Sequence, residues 1–445
     1  MQLKQFEDKN LSHYSYAVLS ECEKQIVLVD PARNVQQYLD FAKDKEATII
    51  GVIETHPHAD FVSSHLELHE TTGATIYTSK LVDAVYPHKT FDDGDIITFG
   101  KIKLSALNTP GHSPDSISIV LEHDGRQKAV FTGDTLFIGD CGRPDLRPGN
   151  GDVKDAANQL ARQMYHSLRD MLMVLEDETI VYPAHGAGTL CGKNLSKEST
   201  STLGKEKETN WSLQDADEEE FVKNLLEDQP FVPAYFPYDV ELNKKGAPQM
   251  KESITTVKKG AATSNLNKDL WIVDVRKEDD FKEGHLPHSV NIQEDGKFET
   301  WLGSIIKPEE QFYVAAKDEE QLQKMLLRVA AIGYETAVAE ARIVKDGDVK
   351  EPELDVDLFK NHTTDYTIVD VRNKAEMEEG KIFENSVSIP LAEVRDRVNE
   401  IPTDKPIVVH CAGGYRSAAG SSIIKSALDG KVKVFDLSEA IKQFQ

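Results

Sequence analysis

Several short stretches of this chain carry residue types that do chemistry, and each stands directly after an apolar run. They are His56-Pro57-His58-Ala59-Asp60, Gly111-His112, Gly133-Asp134, Ala184-His185 and Cys411-Ala412-Gly413-Gly414-Tyr415-Arg416-Ser417. Strand ends can bring side chains from distant sequence positions to one place, and imidazoles with carboxylates are metal ligands. A lone loop histidine says little, whereas four such clusters in this order point to a metal site. The last stretch is different in kind. Its glycines let backbone N–H groups point inward, and it opens onto the helical AAGSSIIKSAL, whose N-terminus favours an anion. A nucleophilic thiolate, or its persulfide, is the chemistry such a loop supports at Cys411.

The elements that must position these residues read as alternating strands and helices. KIKLSALNTP, SISIVLEH, KAVFTGDTLF and ETIVYPAHG are strand-like, while residues 35–43 and 156–175 have helical spacing. This alternation predicts a layered α/β domain. A polar stretch, SKESTSTLGKEKETN, leads into the acidic helix DADEEEFVKNLLED and then the proline-bearing PFVPAYFP. Comparing the chain with itself exposes a repeat. IVDVRKEDDFKEGHLPHSVNI begins at Ile272 and IVDVRNKAEMEEGKIFENSVSI at Ile368. Each copy reads as a buried strand ending in Asp-Val-Arg, an acidic helix and a second short strand. The expected domains are residues 1–245, 246–352 and 353–445. Aligning the copies sets Ala316 where Cys411 stands, with Lys317-Asp318-Glu319 in place of the glycine-rich turn. The middle module is therefore expected to be a scaffold or docking unit without sulfur chemistry.

Composition narrows the partners. A 445-residue chain with 39% hydrophobic and 29% charged residues reads as a soluble multidomain protein. Its formal net charge of −25 argues against nucleic acid and anionic membranes as partners. The four cysteines lack CxxC spacing, which suits a reducing compartment and individual roles, with Cys22 expected to be structural. MQLKQFEDKN does not read as a signal peptide, and no apolar run reaches membrane-spanning length, so a cytoplasmic location is expected. A homo-oligomer is the expected assembly.

About the first 240 residues resemble the metallo-β-lactamase superfamily, whose αββα sandwich carries HxHxDH, GH, GD and a late histidine at one edge. THPHADF departs from that pattern by placing Phe61 where the terminal histidine stands, which implies a second metal site short of a ligand. FTGDTLFIGDCGRPDL and TPGHSPDSISIV are similar to the persulfide dioxygenase branch more than to glyoxalase II, a two-metal thioester hydrolase. The resemblance implies one Fe(II) per chain held by His56, His112 and Asp134. Two imidazoles and one carboxylate leave about three positions open for oxygen and a substrate sulfur. It assigns His58, Asp60 and His185 to orienting ligands and binding water. Direct ligation by His58 and His185 in a zinc-type site is the competing reading. Cys141 and Arg143 follow Asp134 closely enough to line the pocket. Arg143 suits either an anionic thiol substrate or an ion pair with Asp145. Cys191 either borders the same pocket or is a small buried hydrophobe.

Residues 355–445 resemble the rhodaneses, sulfurtransferases that carry sulfur as a cysteine persulfide, on the Cys411 loop and on Asp370-Val371-Arg372. This implies catalysis by Cys411 with Arg416 and a persulfide cradle of Ala412, Gly413, Gly414, Tyr415 and Ser417. Together the resemblances imply oxidation of a low-molecular-weight persulfide by O2 to sulfite, followed by sulfur transfer giving thiosulfate, as in the fusions of bacterial sulfide detoxification. The alternatives are a glyoxalase II-like thioester hydrolase, which uses metal-bound hydroxide, and a sulfur-relay protein.

Overall fold

The computed structural model describes residues 1–146, 153–260 and 266–445. Strands β1 (Gln2–Asp8), β2 (His13–Ser20), β3 (Gln25–Val29), β4 (Thr48–Ile53), β5 (Thr75–Thr78) and β6 (Lys89–Thr90) form one sheet in that order. The first three pair antiparallel and the rest parallel. Strands β7 (Ile96–Phe99), β8 (Ile102–Asn108), β9 (Ile117–His123), β10 (Arg126–Gly133), β11 (Ile180–Pro183) and β12 (Ser201–Thr202) form a second sheet, also in sequence order.

Strand β2 is buried at every position, because its alternate side chains enter two different cores. Tyr16 and Val18 join Val27, Val29 and Ile53 against Leu104, Ile119 and Phe131 of the second sheet. Ala17 and Leu19 point the other way, toward Tyr38, Ala42 and Leu68 on the helices Gln36–Asp44 and His65–Thr72. On the opposite outer face, Val120, Val130 and Val181 meet Ala161, Met164, Phe221 and Leu225 of the helices Val153–His166 and Glu218–Leu226. Helix, sheet, sheet, helix is the αββα sandwich. Each fully buried aliphatic or aromatic side chain contributes roughly 1.5–3 kcal/mol to it.

The helix expected over 156–175 ends its regular turns at His166 and widens into a π turn over Ser167–Leu172. Ser167 uses that turn to donate its hydroxyl to the Pro110 carbonyl at 2.6 Å, next to the Gly111-His112 loop. The acidic helix starts where Asp217 accepts the Glu220 N–H at 2.9 Å, an ordinary N-cap. The proline-bearing segment runs into a helix not expected from sequence, Phe236–Lys245, with its proline in the first turn.

Contacts divide the chain into two units, Met1–Glu252 with Ala331–Gly333, and Ser253–Ala330 with Tyr334–Gln445. In the second unit β13 (Lys259–Gly260), β14 (Trp271–Asp274), β15 (Ser289–Asn291), β16 (Phe312–Ala316) and β17 (Val338–Ile343) form a parallel sheet in the order β13-β17-β16-β14-β15. Strands β18 (Thr367–Asp370), β19 (Val387–Ser388), β20 (Ile407–His410) and β21 (Val434–Asp436) form another, ordered β19-β18-β20-β21. The repeat is explained by one buried device. In each copy the Asp-Val-Arg arginine forks onto its own aspartate and donates to a glycine carbonyl at 2.9 Å, Arg276 to Asp274 and Gly284, Arg372 to Asp370 and Gly380. The pair ties the strand end to the end of the following helix, so Asp-Val-Arg is a structural element. Among the described residues no helix is long and apolar enough to cross a membrane.

Candidate functional site

The ends of β4, β8, β10 and β11 lie at one edge of the sandwich, and the loops that follow them deliver His56, His58, Asp60, His112, Asp134 and His185, all buried. Strand β10 is re-aimed there by a register shift against β11 between Phe131 and Gly133. Gly133 has φ +52° and backs onto Thr55, so that a Cβ would sit 2.6 Å from the Thr55 hydroxyl. Only glycine fits this approach, and the next residue, Asp134, is thereby turned into the site.

Donor atoms of His56, His112 and Asp134 lie within 4.8 Å of one another. The Nε2 atoms of His56 and His112 are 3.9 and 3.5 Å from Asp134 Oδ2. Their other ring nitrogens decide the tautomers. His112 Nδ1 is 2.8 Å from the Arg143 carbonyl, which can only accept, so Nδ1 carries the proton. Thr55 donates its hydroxyl to Asp30 at 2.8 Å and must therefore accept from His56 Nδ1 at 3.0 Å. Both imidazoles thus place their lone pair on Nε2. Among the described residues neither oxygen of the Asp134 carboxylate accepts a hydrogen bond, although both are buried. Burying a carboxylate in this way is unfavourable unless a cation compensates it. Two nitrogen lone pairs and one such carboxylate fit a divalent transition metal.

Around this trio the structure places His58, Asp60 and His185, whose donors also fall within 4.8 Å of one another. His185 Nε2 is 3.5 Å from Asp60 and 3.6 Å from Asp134. Burial pushes the Asp60 carboxyl up and the His112 imidazole down. Burial alone would lower His58 as well, but Asp30 at 3.2 Å, with Glu54 and Asp134, raises it to about 9. Phe61 is buried against His13 and His58, with ring centroids at 3.9 and 4.3 Å. An apolar ring thus lies beside the imidazoles at this flank of the donor cluster.

The cysteines and Arg143 divide. Cys191 is in the site, its sulfur within 4.8 Å of donor atoms of Asp134 and His185, and burial with Asp60 and Asp134 pushes its thiol up. Cys141 does not line the pocket, contrary to expectation. It packs into the apolar cluster with Val130 and Leu136, and burial beside Asp140 pushes its thiol up. Arg143 is buried, forks onto Asp145 at 2.6 and 2.7 Å and donates to the Leu190 carbonyl, so the ion pair is what the structure holds. Cys22, expected to be structural, is exposed. Sequence reading missed Asp30, Thr55, His13 and Glu54. Asp30 does carry the same signature as the ligand clusters, a polar residue directly after an apolar strand. Asn243 was also missed. It donates to the His58 and Phe61 carbonyls at 2.8 Å, and its carbonyl accepts from the Ser63 N–H, holding the loop after β4 from 180 residues away in sequence.

In the second unit, β18 and β20 pair Asp370 with His410, and β14 and β16 pair Asp274 with Ala315. The next residues are Cys411 and Ala316, so the two occupy equivalent places. The Gly413 and Gly414 N–H groups donate to the Cys411 sulfur at 3.5 and 3.1 Å. Ser417 donates to the Gly414 carbonyl at 2.8 Å, and the Ala412 carbonyl accepts from Gln445. Arg416 forks onto Glu376, one contact being 2.8 Å. In the other copy the Lys317 N–H is taken by the Gln321 side chain at 2.9 Å, and no cradle forms.

A sandwich with a buried histidine–carboxylate cluster at its edge, followed by two small parallel sheets of which one carries a thiol in an N–H cradle, defines a metal-site domain joined to sulfur-carrier-type domains. The chain belongs to the metallo-beta-lactamase superfamily, matched over residues 10–185, and continues with two rhodanese-like domains, matched over residues 256–342 and 355–445. It is 30% identical over 197 residues to the mitochondrial persulfide dioxygenase ETHE1 of Bos taurus, covering 44% of this chain and 72% of that one. It is 33% identical over 177 residues to a probable hydroxyacylglutathione hydrolase of Schizosaccharomyces pombe, covering 39% of this chain and 63% of that one. A crystal structure of a metallo-beta-lactamase from Staphylococcus aureus superposes with a TM-score of 0.69 at 31% identity, covering 77% of this chain and 99% of that chain.

Proposed function

We propose that the first domain oxidises a low-molecular-weight persulfide with O2 and water to the free thiol and sulfite. Cys411 then joins a sulfane sulfur to sulfite, giving thiosulfate. The observation that carries this reading is the Asp134 carboxylate, buried between two Nε2-presenting imidazoles without a hydrogen-bond donor among the described residues, on a chain that also holds a cradled thiol. The similarity to a persulfide dioxygenase and the rhodanese-like match support it. One Fe(II) per chain, held by His56, His112 and Asp134, would supply open positions for O2 and a sulfur ligand.

The chain's own residues do the rest. Thr55 and the Arg143 carbonyl fix the imidazole tautomers, which keeps Nε2 available whatever the metal state. His58, Asp60 and His185 orient that shell and hold water. Phe61 and His13 close one flank with ring faces. At the second site, the Gly413 and Gly414 N–H groups hold negative charge on Cys411 while it attacks a sulfane sulfur, and Arg416 stands beside it on Glu376. Domains 1–245, 246–352 and 353–445 are the proposed working units.

A second reading, thioester hydrolysis with two metals, is favoured by the His58, Asp60 and His185 group and by the hydrolase relative. Phe61 stands against it. Metal analysis of anaerobically purified protein, with an oxygen-electrode trace on a small persulfide, separates the two. Two zinc ions per chain and thioesterase activity without oxygen uptake would refute the dioxygenase.

A further inference from the structure

Tyr415 is the first residue of the helix Tyr415–Leu428 and follows Gly414, whose N–H donates to the Cys411 sulfur. Its side chain leaves its own module. The hydroxyl donates to the Gln293 carbonyl at 2.9 Å, just past β15 of the module that lacks a cysteine. The ring lies on Gly296, which has φ +70° and where a Cβ would come within 3.1 Å of the ring, so the seat is cut to fit an aromatic side chain. Arg328 ties that seat to its own module, donating to Glu299 at 2.6 Å and to the Glu294 carbonyl. On the other flank Ser438 backs against Gly414 and donates its hydroxyl to Glu278, again of the Cys-less module. The turn that aims N–H groups at sulfur is thus gripped from both sides by a neighbour with no nucleophile of its own.

We propose that the Cys-less module is a working part of the Cys411 site, with Tyr415 as the positioning residue through which it sets the N–H cradle. This rests on the reading of Cys411 as the sulfur-transfer nucleophile. In the loading step the Cys411 thiolate attacks the sulfane sulfur of thiosulfate. A new S–S bond forms, the old one breaks, and its electron pair leaves on sulfite. The negative charge begins on the Cys411 sulfur and ends on the outer sulfur of the new persulfide, both beside the N–H groups of the turn, so donors that drift from their places slow the step.

The experiment uses the full chain with thiosulfate as the sulfur donor. It follows Cys411 gaining one sulfur by rapid quench and mass spectrometry over a range of thiosulfate concentrations, beside a thermal melt. Tyr415→Phe removes only the tether to Gln293, and Gly296→Val displaces the ring from a residue outside the catalytic module. The expected result is a saturating loading rate lowered about five- to tenfold in each, the scale of one lost hydrogen bond, with the half-saturating thiosulfate concentration unchanged and a melt that, though lowered by a few degrees, leaves the chain folded at the assay temperature. Wild-type loading rates in both variants would overturn the inference, as would a fall matched by an equal loss of folded protein. Should Gly296→Val fail to fold, Tyr415→Phe decides alone. No loading of the wild-type chain would instead refute the reading of Cys411 itself.

Discussion

Among the described residues the Asp134 carboxylate accepts no hydrogen bond and faces the imidazoles of His56, His112 and His185, the arrangement expected of a metal ligand. If the site is the proposed one, His56→Ala, His112→Ala and Asp134→Asn are each expected to remove bound iron, and the wild-type chain is expected to carry about one iron despite the second donor group, because an apolar Phe61 follows Asp60. Elemental analysis after anaerobic purification checks both halves, and two metals per active chain would count against the reading. Thr55 offers a subtler test. Thr55→Val keeps the side-chain shape but releases His56 Nδ1 and Asp30 Oδ2, while the backbone N–H of residue 55 still donates to Asp30 Oδ1. Metal affinity should fall about 10- to 100-fold, measured by competition with a chelator, while the fold persists. The candidate ligand clusters were legible because each follows an apolar strand, and the family resemblance singled out His56, His112 and Asp134 among them. Thr55 was not legible, since a threonine carries no metal signature until its hydrogen-bond partner is known, and Asp30, although it too follows an apolar strand, stands there without a histidine beside it.

The loop after β4 is an element whose shape comes from elsewhere. Asn243, on the helix Phe236–Lys245, satisfies three backbone groups of residues 58–63. Asn243→Ala leaves those buried groups unpaired. It is expected to destabilise the first unit by about 2–4 kcal/mol in a urea titration, with weaker metal binding in parallel. The loop after β16 gives the converse case. The double variant Ala316→Cys, Cys411→Ser places a thiol at the equivalent strand end without donors around it, since Gln321 takes the Lys317 N–H. Thiosulfate:cyanide transfer should stay at the background of Cys411→Ser, and turnover near wild type would contradict this. Periodicity located the strands well. The helix over 156–175 was read as unbroken because nothing in its sequence shows that Ser167 bonds to Pro110, and the helix at Phe236 was hidden by its prolines.

At the scale of the molecule, the two sites draw on separate local devices, a ligand cluster in one unit and a backbone cradle in the other. Cys411→Ser is expected to keep persulfide-dependent oxygen uptake and to change the product from thiosulfate to mainly sulfite. His112→Ala should abolish oxygen uptake and keep sulfur exchange at Cys411. Chromatography of derivatised sulfur species beside an oxygen trace reads both, and loss of oxygen uptake in folded, iron-loaded Cys411→Ser would show that the sites do not act separately. By itself the sequence determined a layered α/β first domain, the two Asp-Val-Arg modules and the residues at each strand end, because hydrophobic period and turn chemistry are local properties, and the αββα arrangement came with the family resemblance. Tertiary structure alone decided which neighbours those residues meet. It sent Cys141 into the core and brought Cys191 to Asp134. It also set Tyr415 on the module that lost its own cysteine, because such contacts join residues far apart in the chain and are chosen by packing.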